Sequence, residues 1–177
     1  MSLFELRTAS PHDPTQPDVF LVSADRCLSI EVKINARSTL QQVAKYALLH
    51  LDFAKQNGGS ADGGRLIYLT PRAVSQTWEE KFPDIAAMRH ALDASDFATL
   101  LAKAGMSGDH SPEELEAAAI GMPVAHLTFA DFQCLVADYA AAFPVDAPPP
   151  ADTAVKLFAG LLHELNSRRR DILNISV

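Results

Sequence analysis

Alternating apolar and polar positions divide the first part of the chain into strands arranged around one helix. Two strand-forming runs cover residues 18–23 and 27–34, and another covers 65–70. Between the second and the third run, Ser38-x-x-Gln41 has the form of a capping box that starts a helix, and apolar residues recur at helical spacing from there to about residue 56. Strand, strand, helix and strand in this order predict an α/β fold with a mixed sheet and a crossover helix.

The rest of the chain has mostly helical periodicity. Helices are predicted over residues 84–104, with a break near 93–96, over 111–121 and over 128–143. The second of these begins with a capping box of Ser111 and Glu114. Short strands at residues 3–9 and 123–127 complete a sheet of four or five strands. Residues 1–177 are predicted to form a single domain, with a core of about 1–75 and a helical extension of about 76–177.

Composition narrows the class of protein. Apolar residues make up 48% of the 177 positions, which is ordinary for a globular protein, and no apolar run approaches the ~18–20 residues that span a bilayer. Two cysteines imply no disulfide framework, so a cytoplasmic location without membrane contact is expected. The net charge of −7 excludes a global basic field for nucleic acids, although local Lys and Arg side chains can still meet phosphates.

The run CLSIEVKI at residues 27–34 has two different faces. Because strand side chains alternate, its apolar residues share one face, which is predicted to be buried. Glu31 and Lys33 lie side by side on the opposite, polar face. A strand that holds an acid and a base side by side on one face, with apolar residues on the other, has a geometry suited to catalysis.

The connection between the two strands determines which residue faces Glu31. If Ala24 and Asp25 form a two-residue loop, Asp18 lies directly opposite Glu31, with Cβ atoms roughly 4.5–5.5 Å apart. Two carboxylates this close repel each other unless a cation lies between them, and Mg²⁺ uses one or two carboxylates. The sequence therefore predicts that Asp18 and Glu31 hold one or two Mg²⁺ or Mn²⁺ ions.

Basic and polar residues near this pair have separate predicted roles. Lys33 is expected to orient or deprotonate a water molecule and to stabilise charge on a phosphate. Gln42 and Tyr46 are four residues apart, so they occupy one face of the crossover helix, which should cover the catalytic strand. Lys45 and Arg37 flank the site and are the predicted phosphate contacts.

Together, Pro17-Asp18, Glu31-Val32-Lys33 and Gln42-x-x-x-Tyr46 resemble the PD-(D/E)xK nuclease superfamily, and its RecB-type branch in particular. The clear similarity covers residues 17–71. The resemblance implies a restriction-endonuclease-like core, a metal ligand in the Val32 carbonyl, and contact of the Gln/Tyr pair with nucleic acid. It also implies endo- or exonucleolytic cleavage of DNA more than RNA, in bacterial defence or repair.

Members of this superfamily usually carry a helix before the first core strand. Only 17 residues precede Asp18, which leaves little room for that helix beside the strand at residues 3–9. Either the chain is truncated upstream or this lineage lacks the helix, and a homodimer or a partner protein is expected to supply it.

Two alternatives remain open at this level. One is a catalytically inactive interaction module that keeps the nuclease fold, which the acidic net charge favours. The other is an unrelated α/β scaffold in which the motif arose by chance, with Asp18 and Glu31 on separate faces. The six histidines show no metal-binding spacing and are predicted to be surface or capping residues, whereas Trp78 is predicted to lie in the core.

Overall fold

A computed structural model describes residues 5–6, 17–22, 26–58, 64–103 and 110–142 of the chain. Its strands are β1 (Glu5–Leu6), β2 (Val19–Val22), β3 (Cys27–Val32), β4 (Gly64–Thr70) and β5 (Val124–Thr128). Its helices are α1 (Leu40–Asn57), α2 (Val74–Thr77), α3 (Ile85–Asp93), α4 (Phe97–Lys103), α5 (Pro112–Gly121) and α6 (Phe129–Ala142). The predicted α/β class is confirmed, and α2 is an element that the sequence pattern did not predict.

The strands form one mixed sheet in the order β1-β2-β3-β4-β5, in which β1 contributes only two residues. β1 and β2 are antiparallel, as are β2 and β3, whereas β3 and β4 are parallel. A parallel pair needs a crossover connection, and α1 supplies it between β3 and β4. This is the predicted order of strand, strand, helix and strand.

Helix α1 begins one residue later than the sequence pattern suggested. The motif at residues 38–41 predicted a cap at Ser38, but Thr39 is the N-cap and accepts a hydrogen bond from the Gln42 amide. Ser38 is instead fixed in a parallel bridge to Trp78 and is fully buried. The helix ends at Gly58, whose φ of 65° is the left-handed conformation that glycine adopts most readily.

The predicted burial of the two faces of β3 was wrong. Its polar face lies under α1 and is the buried one, since Glu31 is 7% exposed and Ser29 is 0% exposed. The apolar residues of the other face are half-buried, and Ile34 beyond the strand is 38% exposed. The reason is that α1 presents polar partners to the polar face: Gln42 and Tyr46 donate to Glu31, and His50 contacts Ser29.

The core lies mainly between the sheet and the helices. Helix α1 packs against α4 and α5, and Val43, Leu66 and Met88 are each 0% exposed within this core. Trp78 is also 0% exposed, which confirms its predicted place in the core. The expected break between α3 and α4 is present, and a capping box of Ser111 and Glu114 begins α5 as predicted.

The chain divides into two compact units, Met1–His126 and Leu127–Val177. The first unit holds every residue of the candidate site. Among the described residues, no helix combines the length and the apolar character needed to cross a bilayer. The prediction of a single domain stays a prediction, and the chain beyond residue 142 lies outside the described residues.

Candidate active site

Asp18 lies just before β2, at the end of the antiparallel pair with β3. The observed pairs run from Val22 opposite Cys27 to Val19 opposite Ile30, and the next position places Asp18 opposite Glu31. This is the predicted register, and directly opposed residues share one face of a sheet. The two carboxylates therefore belong to the same face, unlike the arrangement expected of a chance motif.

The Asp18 carboxylate also binds the backbone of β3. The Val32 amide donates to Asp18 Oδ2 over 2.7 Å. In the continued register Val32 faces Pro17, which has no N–H to donate. Because the N–H and C=O of one strand residue point to the same neighbouring strand, the Val32 carbonyl is directed to the side of Pro17. Proline at position 17 therefore cannot donate a ladder hydrogen bond to that carbonyl.

Glu31 is the centre of the site. Its carboxylate is mostly buried, and three side-chain donors surround it. Gln42 Nε2 donates to Oε1 over 2.8 Å, and the Tyr46 hydroxyl donates to Oε2. Lys33 Nζ lies 2.6 Å from Oε1. Buried charges require such partners, because an isolated carboxylate is very unfavourable away from water.

Lys33 follows the last residue of β3 and keeps to the face of Glu31. Its side chain is 12% exposed and that of Glu31 is 9% exposed, so the ion pair is largely shielded from water. The Lys33 amide donates to the Leu69 carbonyl over 2.9 Å, which extends the parallel pairing with β4 past the end of β3. The backbone below the ammonium group is therefore held by the sheet.

Gln42 and Tyr46 reach Glu31 from successive turns of α1. Their spacing of four residues brings both side chains to the same face of the helix, as the sequence predicted. Burial raises the pKa of the Tyr46 hydroxyl far above its usual range, and the hydrogen bond to Glu31 raises it further. Tyr46 therefore remains protonated and acts as a permanent hydrogen-bond donor rather than as a base.

The two predicted phosphate contacts lie around this centre without joining it. Arg37 is exposed in the segment between β3 and α1, and Lys45 is half-buried on α1 one residue before Tyr46. Within the described part of the chain, neither side chain enters the hydrogen-bond network of Glu31. Their assignment to substrate stays a prediction.

The oxygen atoms at this point are suitable ligands for a hard cation. Asp18 and Glu31 supply carboxylates and Val32 supplies a carbonyl, which are the ligand types that Mg²⁺ and Mn²⁺ take. Across the described ranges no group of three or more His, Cys, Asp and Glu side chains is placed to hold a metal ion. Mg²⁺ is usually held by one or two carboxylates with several waters, and the assignment of Asp18, Glu31 and Val32 to a metal stays a prediction.

Two buried hydroxyls beside the site were not predicted from the sequence. Ser38 Oγ lies 3.0 Å from Gln42 Oε1 and 2.8 Å from the Tyr68 hydroxyl. Tyr68 pairs with Glu31 in the β3–β4 register, so it occupies the same face of the sheet. The sequence around Ser38 has the pattern of a helix cap, and nothing local to Tyr68 indicates its partner 30 residues away.

The prediction that His50 is a surface or capping residue was also wrong. His50 is 2% exposed, stacks on Phe20 and places Nε2 2.8 Å from Ser29 Oγ. Burial lowers the pKa of His50 to about 4, and the nearby Arg65 adds to the effect. This pair joins α1 to β3 without solvent access, so it supports packing on the polar face of the sheet and not a second reactive centre.

Comparison with protein-family models, curated proteins and solved structures finds no significant match to this chain.

Proposed function

We propose that this protein is a divalent-metal-dependent nuclease of the PD-(D/E)xK type that hydrolyses DNA phosphodiester bonds. The observation that carries the proposal is the convergence on Glu31. Lys33 reaches it from β3, Gln42 and Tyr46 reach it from α1, and Asp18 lies opposite it in register. These four side chains come from three separate stretches of sequence and carry the chemistry that the resemblance implies.

The topology supports the finer part of the proposal, a restriction-endonuclease-like core. An antiparallel pair, a crossover helix and a parallel strand surround the site in the order that the resemblance implies. The site lies at the carboxyl end of the parallel pair β3–β4, the end at which open α/β sheets usually bind ligands. Asp18 and the segment 34–37 are exposed there, so a long polymer can approach from solvent.

The residues that would hold Mg²⁺ or Mn²⁺ are Asp18, Glu31 and the carbonyl of Val32. When bound, such an ion supplies Lewis-acid polarisation of the phosphate and a more acidic water.

The chain itself supplies positioning and charge. Gln42 and Tyr46 fix the orientation of the Glu31 carboxylate by donating to different oxygens. Lys33, which pairs with Glu31 in the structure, would donate a hydrogen bond to a non-bridging phosphate oxygen, where negative charge builds as water bonds to phosphorus and the bond to the leaving oxygen breaks. This role requires Lys33 to move from Glu31 toward the substrate.

The test is cleavage of circular and linear DNA by the purified protein with Mg²⁺ or Mn²⁺. The wild type is expected to cut, and Lys33→Ala is expected to lose about 100-fold or more, the magnitude typical of one transition-state donor. Lys103→Ala is the matched control, because Lys103 is an exposed lysine on α4. Equal cutting by wild type and Lys33→Ala would remove the assignment. Circular substrate separates endonuclease from exonuclease action, and an RNA arm tests the preference for DNA.

The second candidate is a catalytically inactive module with the same fold, and one observation favours it. Both oxygens of Glu31 already have protein donors, and Lys33 lies where a cation would be attracted. If this arrangement is permanent, the protein binds no Mn²⁺ and cuts neither DNA nor RNA. A nuclease must instead release Lys33 when the ion binds.

A further inference from the structure

Two buried polar side chains, Ser38 and Tyr68, extend the candidate site into the core. Tyr68 and Ser38 are each 0% exposed, and the Tyr68 ring packs edge-on against Trp78 with 5.0 Å between ring centroids. A phenylalanine would make the same packing contact. A buried hydroxyl is unfavourable unless it is hydrogen-bonded, so the hydroxyl of Tyr68 needs a specific partner.

The contacts form a chain that ends at Glu31. The Tyr68 hydroxyl lies 2.8 Å from Ser38 Oγ, which lies 3.0 Å from Gln42 Oε1, and Gln42 Nε2 donates to Glu31 over 2.8 Å. An ionised carboxylate only accepts hydrogen bonds, so the NH₂ end of Gln42 must face Glu31 and the oxygen end must face Ser38. A reversed amide would bring two oxygens together.

The direction of the protons follows from counting donors. Ser38 has one hydroxyl proton, so both of its contacts are hydrogen bonds only if it donates to Gln42 and accepts from Tyr68. Burial raises the pKa of Tyr68 above its usual range, so its hydroxyl retains the proton that it donates. Thr39 serves as the cap of α1, which leaves the Ser38 hydroxyl available for this contact.

We propose that Ser38 and Tyr68 are positioning residues, whose paired hydroxyls fix the orientation of the Gln42 amide and thereby hold the Glu31 carboxylate in place. The consequence for catalysis rests on the proposed nuclease function, whereas the positioning itself does not. Loss of either hydroxyl frees the amide to rotate, and the site then loses a donor that is fixed on Glu31.

The experiment compares Ser38→Ala and Tyr68→Phe with the control Ser29→Ala. Ser29 is also 0% exposed and lies on the same face of β3 as Glu31, but its hydrogen-bond partner is His50 and not Gln42. Hydrogen exchange of the Gln42 side-chain amide is followed by ¹⁵N-edited NMR. Both test variants are expected to exchange roughly five- to tenfold faster than wild type, the factor that one hydrogen bond is worth, and the control is expected to be unchanged.

The double variant separates a relay from general loosening of the core. If the hydroxyls act in series, Ser38→Ala/Tyr68→Phe exchanges no faster than Ser38→Ala alone, because groups that act as a unit are not additive. Additive acceleration, or exchange within twofold of wild type in both single variants, would overturn the proposal. Should Ser38→Ala fail to fold, Tyr68→Phe still decides, since it preserves the shape of the ring.

Activity gives a second readout. If the wild type cuts DNA, each test variant is expected to lower kcat roughly five- to tenfold with KM within twofold, while Ser29→Ala keeps the wild-type kcat. An unchanged kcat in both test variants would contradict a role in the reaction. If the wild type cuts no DNA, the proposed function fails, and the amide exchange still decides whether Ser38 and Tyr68 position Gln42.

Discussion

Replacing Lys33 with methionine removes the ammonium group from Glu31 and keeps an apolar side chain of similar length. The Glu31 carboxylate then stays buried with only Gln42 and Tyr46 as donors. Removing one partner of a buried ion pair costs about 3–5 kcal/mol, and a hydrogen bond to a charged group is worth about 1.5–3 kcal/mol. Because two donors remain, we expect a loss near the lower figures, about 2–3 kcal/mol in the free energy of unfolding.

The assay is urea unfolding monitored by the fluorescence of Trp78, which is the only tryptophan and lies in the core of the first unit. Lys55→Met is the matched control, because Lys55 also pairs with a glutamate, Glu114, but both side chains are about half exposed. Water screens that pair, so its loss should be much smaller.

A double variant tests the cause of the loss. Lys33→Met combined with Glu31→Gln removes the uncompensated charge, so it should be more stable than Lys33→Met alone. If Lys33→Met costs no more than Lys55→Met, or if Glu31→Gln adds further loss, the argument that Lys33 compensates a buried charge is refuted.

Three other predictions concern the support of the site. Gly64→Ala should lose about 1–3 kcal/mol in urea unfolding, because the new Cβ would lie 2.5 Å from His50 Nδ1; a neutral result would contradict the tight packing. The pKa of His50 in the folded protein lies below its unfolded value, so the fold favours the neutral ring. The stability that this preference contributes is complete above pH 6.5 and is lost as the pH falls from 6.5 toward 4, by up to about 3 kcal/mol in the free energy of unfolding. NMR should find the His50 ring neutral at pH 5.5, and a titration midpoint near 6.5 would disprove its burial. Thr39→Ala should cost about 1 kcal/mol through loss of the α1 cap, and no loss in urea unfolding would remove Thr39 from that role.

Local sequence information was sufficient for the strand register. Alternation specified which residues of β2 and β3 share a face, and the predicted two-residue connection specified the pairing. The observed pairs from Val19–Ile30 to Val22–Cys27 confirm that register. Asp18 opposite Glu31 follows directly from it, so the relation of the two carboxylates could be predicted without a structure.

Burial of the polar face could not be predicted in the same way. A strand with Ser29, Glu31 and Lys33 on one side is usually solvated on that side, and the apolar reverse face was the natural choice for the core. The outcome depends on Gln42 and Tyr46 of α1, which donate to Glu31 and make its burial possible. Such compensation comes from the packing of α1 on the sheet and not from the strand itself.

Ser38 shows a second limit of local patterns. Its position before α1 fits a helix cap, yet Ser38 forms a bridge to Trp78 in the core, and Thr39 is the N-cap of α1. Its contact with Tyr68 joins residues that are 30 positions apart. Long-range contacts of this kind decide what a serine does, and a single sequence does not encode them in any short pattern.

The most direct test of the candidate metal site is calorimetric titration of the wild-type protein with Mn²⁺, beside Asp18→Asn and Glu31→Gln. If the two carboxylates hold a divalent ion, the wild type releases or absorbs heat with a defined stoichiometry, and both variants lose that signal. Absence of binding by the wild type, or binding that survives in both variants, would contradict a metal site formed by Asp18 and Glu31.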